Sequence, residues 1–253
     1  MSLHQTMIRH GQTLFRWRGH IPLLFIAPLL LAFKESAHME SLVGEGIEDI
    51  WVLFCFILSL SGLALRAFTV GYVPANTSGR NATEQRADVL NTTSMYSIVR
   101  NPLYLANYII ILGVLLSIKV WWLALIATLV FFIYMERIIL TEESFLEGKF
   151  GKVYNDWRTK TPAIIPNFKL WHPTNTPFSW KTVLKREYPG LLAVGTAFFV
   201  TEIIVDLVFE GETLREWIAE DYAWPIAYVF ILTLCLSLRY MKKHTRLLKV
   251  EGR

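Results

Sequence analysis

Cysteine is nearly absent from this chain: there are two, Cys55 and Cys235, each inside an apolar stretch. Lone thiols so placed read as packing residues and not as a disulfide or a nucleophile. No repeat of fixed period and no low-complexity tract is present. The first apolar stretch follows Arg16 and Arg18, as a signal peptide would, but it lacks a small-residue cleavage site. Lys34, Glu35 and the bulky Met39 come next instead, so a retained helix is expected. Basic residues are scarce in alternate loops, where only Lys34, Lys119 and Arg215 of the 25 Lys and Arg occur.

What is abundant is apolar surface. Hydrophobic residues make up 53% of the chain, aromatics 14%, and the mean hydropathy is +0.38, too apolar for a soluble domain of this length. Candidate spans are Ile21 to Phe33, Ile50 to Leu65, Leu103 to Ile118, Val120 to Met135, Tyr188 to Val208 and Ala223 to Leu238. Several fall short of the ~20 residues of an upright spanning helix, so flanking Tyr, Trp and Arg are expected to extend them into the interface. The first is the weakest, since it opens on Pro22 and contains Pro28.

Six spans would put 22 of the 25 Lys and Arg on one side: three before the first span, four in Arg66 to Arg100, nine in Arg137 to Arg186 and six from Arg239. The other side is acidic, with Glu35, Glu40, Glu45, Glu48 and Asp49 in one loop and Asp206, Glu210, Glu212, Glu216, Glu220 and Asp221 in another. The positive-inside rule then sets both termini in the cytoplasm. The net charge of +4 is a topology signal and not a nucleic-acid footprint. The sequons at Asn76, Asn81 and Asn91 fall on the cytoplasmic side and are chance matches.

Two polar cassettes bracket the apolar hairpin Leu105 to Met135. The first reads Tyr96-Ser97-Ile98-Val99-Arg100-Asn101-Pro102-Leu103-Tyr104; the second runs from Glu142-Glu143 through Phe150-Gly151-Lys152-Val153-Tyr154 to Ile165-Pro166. A hairpin in lipid returns both to one face, where they can build one site. Phe145, Leu146, Phe150, Val153, Tyr154 and Trp157 fall at helical spacing, which predicts an amphipathic helix over Glu142 to Arg158 lying on that site. The segment with Pro162, Pro166, Pro173 and Pro177 reads as an ordered loop ending in interfacial aromatics.

Leu90-Asn91-Thr92-Thr93-Ser94-Met95-Tyr96, then Arg100-Asn101-Pro102-Leu103-Tyr104, then Glu142-Glu143 with Leu146, Phe150-Gly151 and Tyr154, resembles the isoprenylcysteine carboxyl methyltransferase and phospholipid methyltransferase superfamily. Ile165-Pro166 closes the pattern, and the likeness covers Asn81 to Pro166. It implies an all-α integral membrane protein of about six transmembrane helices, whose cytoplasmic cofactor site is formed by a helical hairpin and a following amphipathic helix. It implies S-adenosylmethionine as cofactor, with no metal, held at Asn81, at Asp88, Val89, Leu90 and Asn91, at Tyr96, at Asn101, Pro102, Leu103 and Tyr104, and at Glu142. It further implies catalytic roles for Glu142, Glu143, Arg137 and Arg100, and a lipid or lipidated acceptor: a prenylcysteine carboxylate, a phospholipid amine or a lipid phosphate. The chain then divides into N-terminal helices (1–80), a methyltransferase core (81–170) and an interfacial loop with two C-terminal helices (171–253).

The chemistry suits a sulfonium cofactor, a cation carrying an adenine plane, for which a carboxylate and aromatic faces are natural partners. The guanidinium of Arg100 can grip two oxygens of a carboxylate. Each residue also has a plain structural reading. Arg100 can anchor a helix start at the membrane, Asn101-Pro102 can be a cap and first turn, Tyr96 and Tyr104 can be belt aromatics, and Glu142-Glu143 a solvated helix start.

Two departures from the family pattern matter. Asn101 and Ala106 stand where the family has His and Gly, and Asn cannot titrate. The arginine expected one helical turn before the acidic pair is Ile138, with Arg137 beside it, an offset of about 100° around the helix. Membrane sterol-type reductases share the aromatic and Ile-Pro ending and bind NADPH; only Arg80 and Arg86 near the first cassette would suit its extra phosphate. A non-enzymatic transporter is the third reading, resting on Glu202 and Asp206 on one face of the fifth span.

Overall fold

The computed structural model of the chain describes residues 3–17, 26–43, 45–74 and 87–250. Its helices in chain order are α1 (Leu3–Trp17), α2 (Ile26–Val43), α3 (Glu45–Tyr72), α4 (Met95–Ile98), α5 (Pro102–Ser117), α6 (Trp121–Phe150), α7 (Lys152–Arg158), α8 (Trp180–Ile203), α9 (Leu214–Glu220) and α10 (Ala223–His244). No strand occurs among the described residues. Helix α8 runs on into a π-helical stretch, Ile204–Glu210, which stops at Gly211 in the left-handed region (φ 80°).

Among the described residues, four helices are long and apolar enough to cross a bilayer: Gly46–Tyr72, Trp121–Phe150, Trp180–Glu210 and Ala223–His244. The hairpin's first arm, α5, has 16 residues. That is about 24 Å against an apolar thickness of about 30 Å. Its partner α6 has 30 residues, or about 45 Å, so its last turns project beyond the hydrocarbon and carry Glu142 and Glu143. Helix α2, which overlaps the weakest expected span, holds Lys34, Glu35 and Glu40 within its 18 residues.

The tightest packing joins α3 to α5. A Cβ on Gly113 would sit 2.6 Å from the Cys55 carbonyl oxygen, and one on Gly62 2.7 Å from the Ala106 carbonyl oxygen. Between them the Ser59 hydroxyl donates to the Ile110 carbonyl (2.9 Å). Small residues and an interhelical hydrogen bond are what hold apolar helices together in lipid, where hydrophobicity gives no drive. Gly113→Ala is expected to cost about 1–3 kcal/mol in detergent-solubilised thermal unfolding, because backbone must move to admit the methyl.

At the hairpin-turn end, Lys119 pairs with Glu48 and the Trp122 indole donates to Glu35 (2.7 Å), tying α2 and α3 to the turn. Asp206 is buried here in the π-helical stretch, with Glu202 half-buried one turn earlier. At the C-terminal side, α10 packs on α8 through stacked Phe199–Tyr228 (4.2 Å) and Phe198–Trp224 (6.2 Å) pairs. The expected amphipathic helix over Glu142 to Arg158 is two pieces. Gly151 (φ 53°) breaks it into the end of α6 and the short α7, since only glycine takes that backbone without strain.

Candidate active site

The first cassette begins in a loop. Ser94 lies in the left-handed half of backbone space (φ 54°), then α4 makes one turn whose Met95 and Ile98, with Val99, are buried against Leu65 of α3. Asn101 occupies the cap position of α5 and Pro102 its first turn, as the sequence suggests. The Asn101 side chain does not cap, however; it donates to the Ala163 carbonyl (3.0 Å).

That bond is one of several that strap residues 157–172 onto the first cassette and Ser94 just before it. The Arg100 amide donates to Pro162 (2.9 Å), the Asn167 amide to Ile98 (2.9 Å), and the Trp157 indole to Tyr96 (3.2 Å). The Ser94 amide donates to His172 (2.8 Å), and the His172 amide to the Ser97 hydroxyl (2.9 Å).

Arg100 is the strongest tie. Its Nε and Nη2 hold one Glu143 oxygen (2.9 and 2.8 Å), and its Nη1 donates to the carbonyls of Arg158 and Thr161 (both 2.8 Å). Both side chains are mostly buried, at 15% and 13% exposure. Beside them stands Tyr154 of α7, 1% exposed, its hydroxyl without a hydrogen-bond partner among the described residues. Burial, reinforced by the Glu143 charge, pushes its pKa up, so it stays a neutral phenol. Tyr154→Phe is therefore expected to leave stability unchanged or raise it by up to about 1 kcal/mol, whereas Tyr154→Ala should cost about 3–5 kcal/mol in the same thermal melt.

The two cassettes meet at Tyr104 and Glu142, where the Tyr104 hydroxyl donates to Glu142 Oε1 at 2.6 Å. Tyr96 stands close enough that the Glu142 charge, second to burial, raises the pKa of its hydroxyl. It is thus a donor and not a base. Tyr96 also lines a cavity of about 140 Å³ whose wall is Val89 through Tyr96, with Thr69 and Tyr72 from α3 and Thr174 and Thr176 from the loop before α8. The Ser94 hydroxyl beside it is buried with no partner among the described residues.

Of the expected site residues, the structure brings Tyr96, Tyr104 and Glu142 together, with Val89, Leu90 and Asn91 on the cavity wall. Asp88 is exposed at the edge of that loop, and Pro102 is buried in the first turn of α5. Arg137 pairs with its neighbour Glu136 (2.6 Å), away from Glu142. Its carbonyl accepts from Thr141 (2.9 Å), whose hydroxyl also reaches Ile8 of α1 (3.1 Å). Asn81, Arg80, Arg86 and the sequon at Asn76 lie outside the described residues.

Sequence reasoning missed Thr69, Tyr72, Thr174 and Thr176. They flank the recognisable pattern, and isolated threonines carry no spacing signal. It also passed over Arg66, which grips the buried Glu187 of α8 with two nitrogens (2.8 and 3.2 Å) and Asn107 of α5 with a third (2.6 Å). An arginine and a glutamate at membrane-helix ends were the available signal. Among the described residues no group of three His, Cys, Asp or Glu is placed to hold a metal ion.

Comparison with known proteins places one family match in the central segment. Residues 75–153 match the family described as phospholipid methyltransferase. A nickel-cobalt-cadmium resistance protein of Alcaligenes xylosoxydans is 30% identical over 51% of this chain and 58% of its own length. A cobalt-zinc-cadmium resistance protein of Cupriavidus metallidurans is 29% identical over 63% of this chain and 71% of its own. The protein-S-isoprenylcysteine O-methyltransferase of Schizosaccharomyces pombe is 33% identical over 31% of this chain and 33% of its own. The chain therefore spans a third to seven-tenths of these relatives, and no solved structure matches it. Through residues 75–153, which hold the first cassette and the start of the second, the chain is thus similar to the phospholipid methyltransferase family.

Proposed function

We propose that this protein is an S-adenosylmethionine-dependent methyltransferase acting on a lipid or lipidated acceptor within the bilayer, with both termini and the site at the cytoplasmic face. The observation that carries the reading is the bond between Tyr104 and Glu142, 38 residues apart, which joins the two cassettes near a cavity that Tyr96 of the first one lines. The orientation rests on a six-span threading, which would put 22 of the 25 Lys and Arg on the cassette side, where the cofactor is made.

At about 140 Å³ the cavity is smaller than the ~300 Å³ and upward of whole-ligand pockets, so it suits one end of the cofactor. The hydroxyls of Ser94, Thr69, Thr174 and Thr176 and the amide of Asn91 fit a polar end, and the Glu142 carboxylate fits a cation beside it. When bound, S-adenosylmethionine would supply an electrophilic methyl group on sulfonium.

The chain's own part is orientation. Tyr104 fixes the Glu142 carboxylate, Tyr96 presents a neutral phenol to it, and the Arg100–Glu143 pair positions the strap without touching the reacting atoms. Holding donor and acceptor in line supplies most of the rate in such a transfer. An acceptor oxygen of carboxylate or phosphate needs no base. An amine acceptor must lose a proton, and Glu142 is the better candidate because Glu143 is held by Arg100.

The test is calorimetric titration of detergent-purified protein with S-adenosylmethionine, S-adenosylhomocysteine and NADPH. Binding of the two sulfur compounds and not of NADPH is expected. A folded sample that binds neither sulfur compound would overturn the reading.

A further inference from the structure

The strap presents a surface that the site does not use. It is held rigidly by the bonds to the first cassette described above, yet Ile165 and Phe168 at its turn are 80% and 74% exposed. Large apolar side chains fixed outward on a braced loop are not loop slack; they face something apolar. Around them lies an open cavity of about 710 Å³ lined by Arg158, Lys160 and Lys169 together with Arg100. Arg100 is consumed by Glu143 and two carbonyls, and Arg158 leans on Glu147 at 3.5 Å. Lys160 and Lys169 point a net positive charge into the opening.

Two further observations fix what lies opposite. From Trp157 to Arg186 the sequence has no acidic residue, but it carries Arg158, Lys160, Lys169, Lys181, Lys185 and Arg186. A loop solvated by cytoplasm would mix signs; this one is complementary to an anionic surface. The strap also ends in an aromatic chain. Trp171 meets Phe68 (6.2 Å), which meets Tyr72 (5.0 Å), then Phe178 (5.0 Å) and Trp180 (4.8 Å). Such a row at the ends of two apolar helices marks headgroup depth.

We propose that residues 158–171 form a docking surface for anionic phospholipid of the leaflet they face, with Ile165 and Phe168 seated at the headgroup–acyl boundary and Lys160 and Lys169 on lipid phosphate. This stands apart from the methyl-transfer reading, since it needs neither cofactor nor acceptor. It makes the surface a headgroup port beside the Arg100–Glu143 pair, so that the leaflet's charge helps hold the strap in place.

The experiment uses the full chain. Phosphatidylglycerol and phosphatidylcholine are titrated into detergent-solubilised protein and bound lipid is read by native mass spectrometry, for the wild type and Lys160→Gln/Lys169→Gln. Each lysine near an anionic surface is worth about fivefold, so the double variant should lose phosphatidylglycerol affinity by about 25-fold and keep its phosphatidylcholine binding. Soluble glycerol phosphate is the control for a free-phosphate site. If it binds as tightly as phosphatidylglycerol, the docking surface is refuted. A nitroxide at Phe168→Cys, in a Cys55→Ala/Cys235→Ala background in phosphatidylglycerol nanodiscs, reads depth independently. Relaxation by oxygen and not by a water-soluble nickel chelate is expected. A label open to the chelate, or unchanged phosphatidylglycerol affinity in the lysine variant, overturns the proposal.

Discussion

Glu142→Ala is expected to weaken S-adenosylmethionine binding by about 100-fold or more while leaving the protein folded. Glu142 is half-buried near the end of α6, beyond the apolar part of the helix, and its carboxylate accepts the Tyr104 hydroxyl at 2.6 Å. Charge-assisted bonds of that length contribute roughly 1.5–3 kcal/mol, and removing the carboxylate also takes away the negative charge opposite a sulfonium. Tyr104→Phe keeps the charge and loses only its orientation, so a smaller loss of about 10-fold should follow. Glu142→Gln keeps an acceptor for Tyr104 but no charge, and should resemble alanine in cofactor binding if charge dominates. Glu143→Ala is the internal comparison. It frees Arg100 and loosens the strap, so it should lower the melting temperature before it lowers affinity. Calorimetry and melting on the same four variants separate these effects. Equal affinity of Glu142→Ala and wild type would remove Glu142 from the site.

Five of the six expected spans were legible as helices because hydropathy over 16 or more residues is a strong, local signal; the first was not, since residues 21–25 lie outside those described and α2 runs on through Lys34, Glu35 and Glu40, which the sequence suggested as a loop. The boundaries of α5 and the first turn at Pro102 followed from Asn101-Pro102, a signal just as local. The break at Gly151 was missed because amphipathic spacing continues across it, and a single positive φ leaves no trace in periodicity. Asn101 carried a capping signature, but its side chain found Ala163, a partner brought near only by the folded strap. The meeting of Tyr104 with Glu142 was foreseeable from a hairpin that returns both cassettes to one face. The cavity's Thr69, Tyr72, Thr174 and Thr176 were not, since they come from α3 and a loop outside the pattern. Helix α1 was also unread, although Gly11 allows its backbone to lie directly on Arg137 and Thr141 of α6.

Arg66→Met and Glu187→Leu, each alone, should destabilise the protein by about 3–5 kcal/mol, because each leaves the other's charge buried without its partner. The two side chains are 15% and 5% exposed and join α3 to α8, so no solvent takes over when one is removed. On the usual scaling for a chain of this size, a loss of that kind lowers the melting temperature on the order of 10 °C. The double variant should recover most of it, since two apolar side chains of similar volume replace the pair without an orphaned charge. Recovery should stop short of complete. Arg66 also donates to Asn107 Oδ1 at 2.6 Å, and that amide loses its partner in the double variant. Adding Asn107→Leu should return roughly a further 1–3 kcal/mol. The order single, double, triple in melting temperature is therefore the signature of one three-helix polar joint. Simple additivity of the two single losses would instead mean that Arg66 and Glu187 act independently, and that the α3–α8 contact is held by its apolar packing alone.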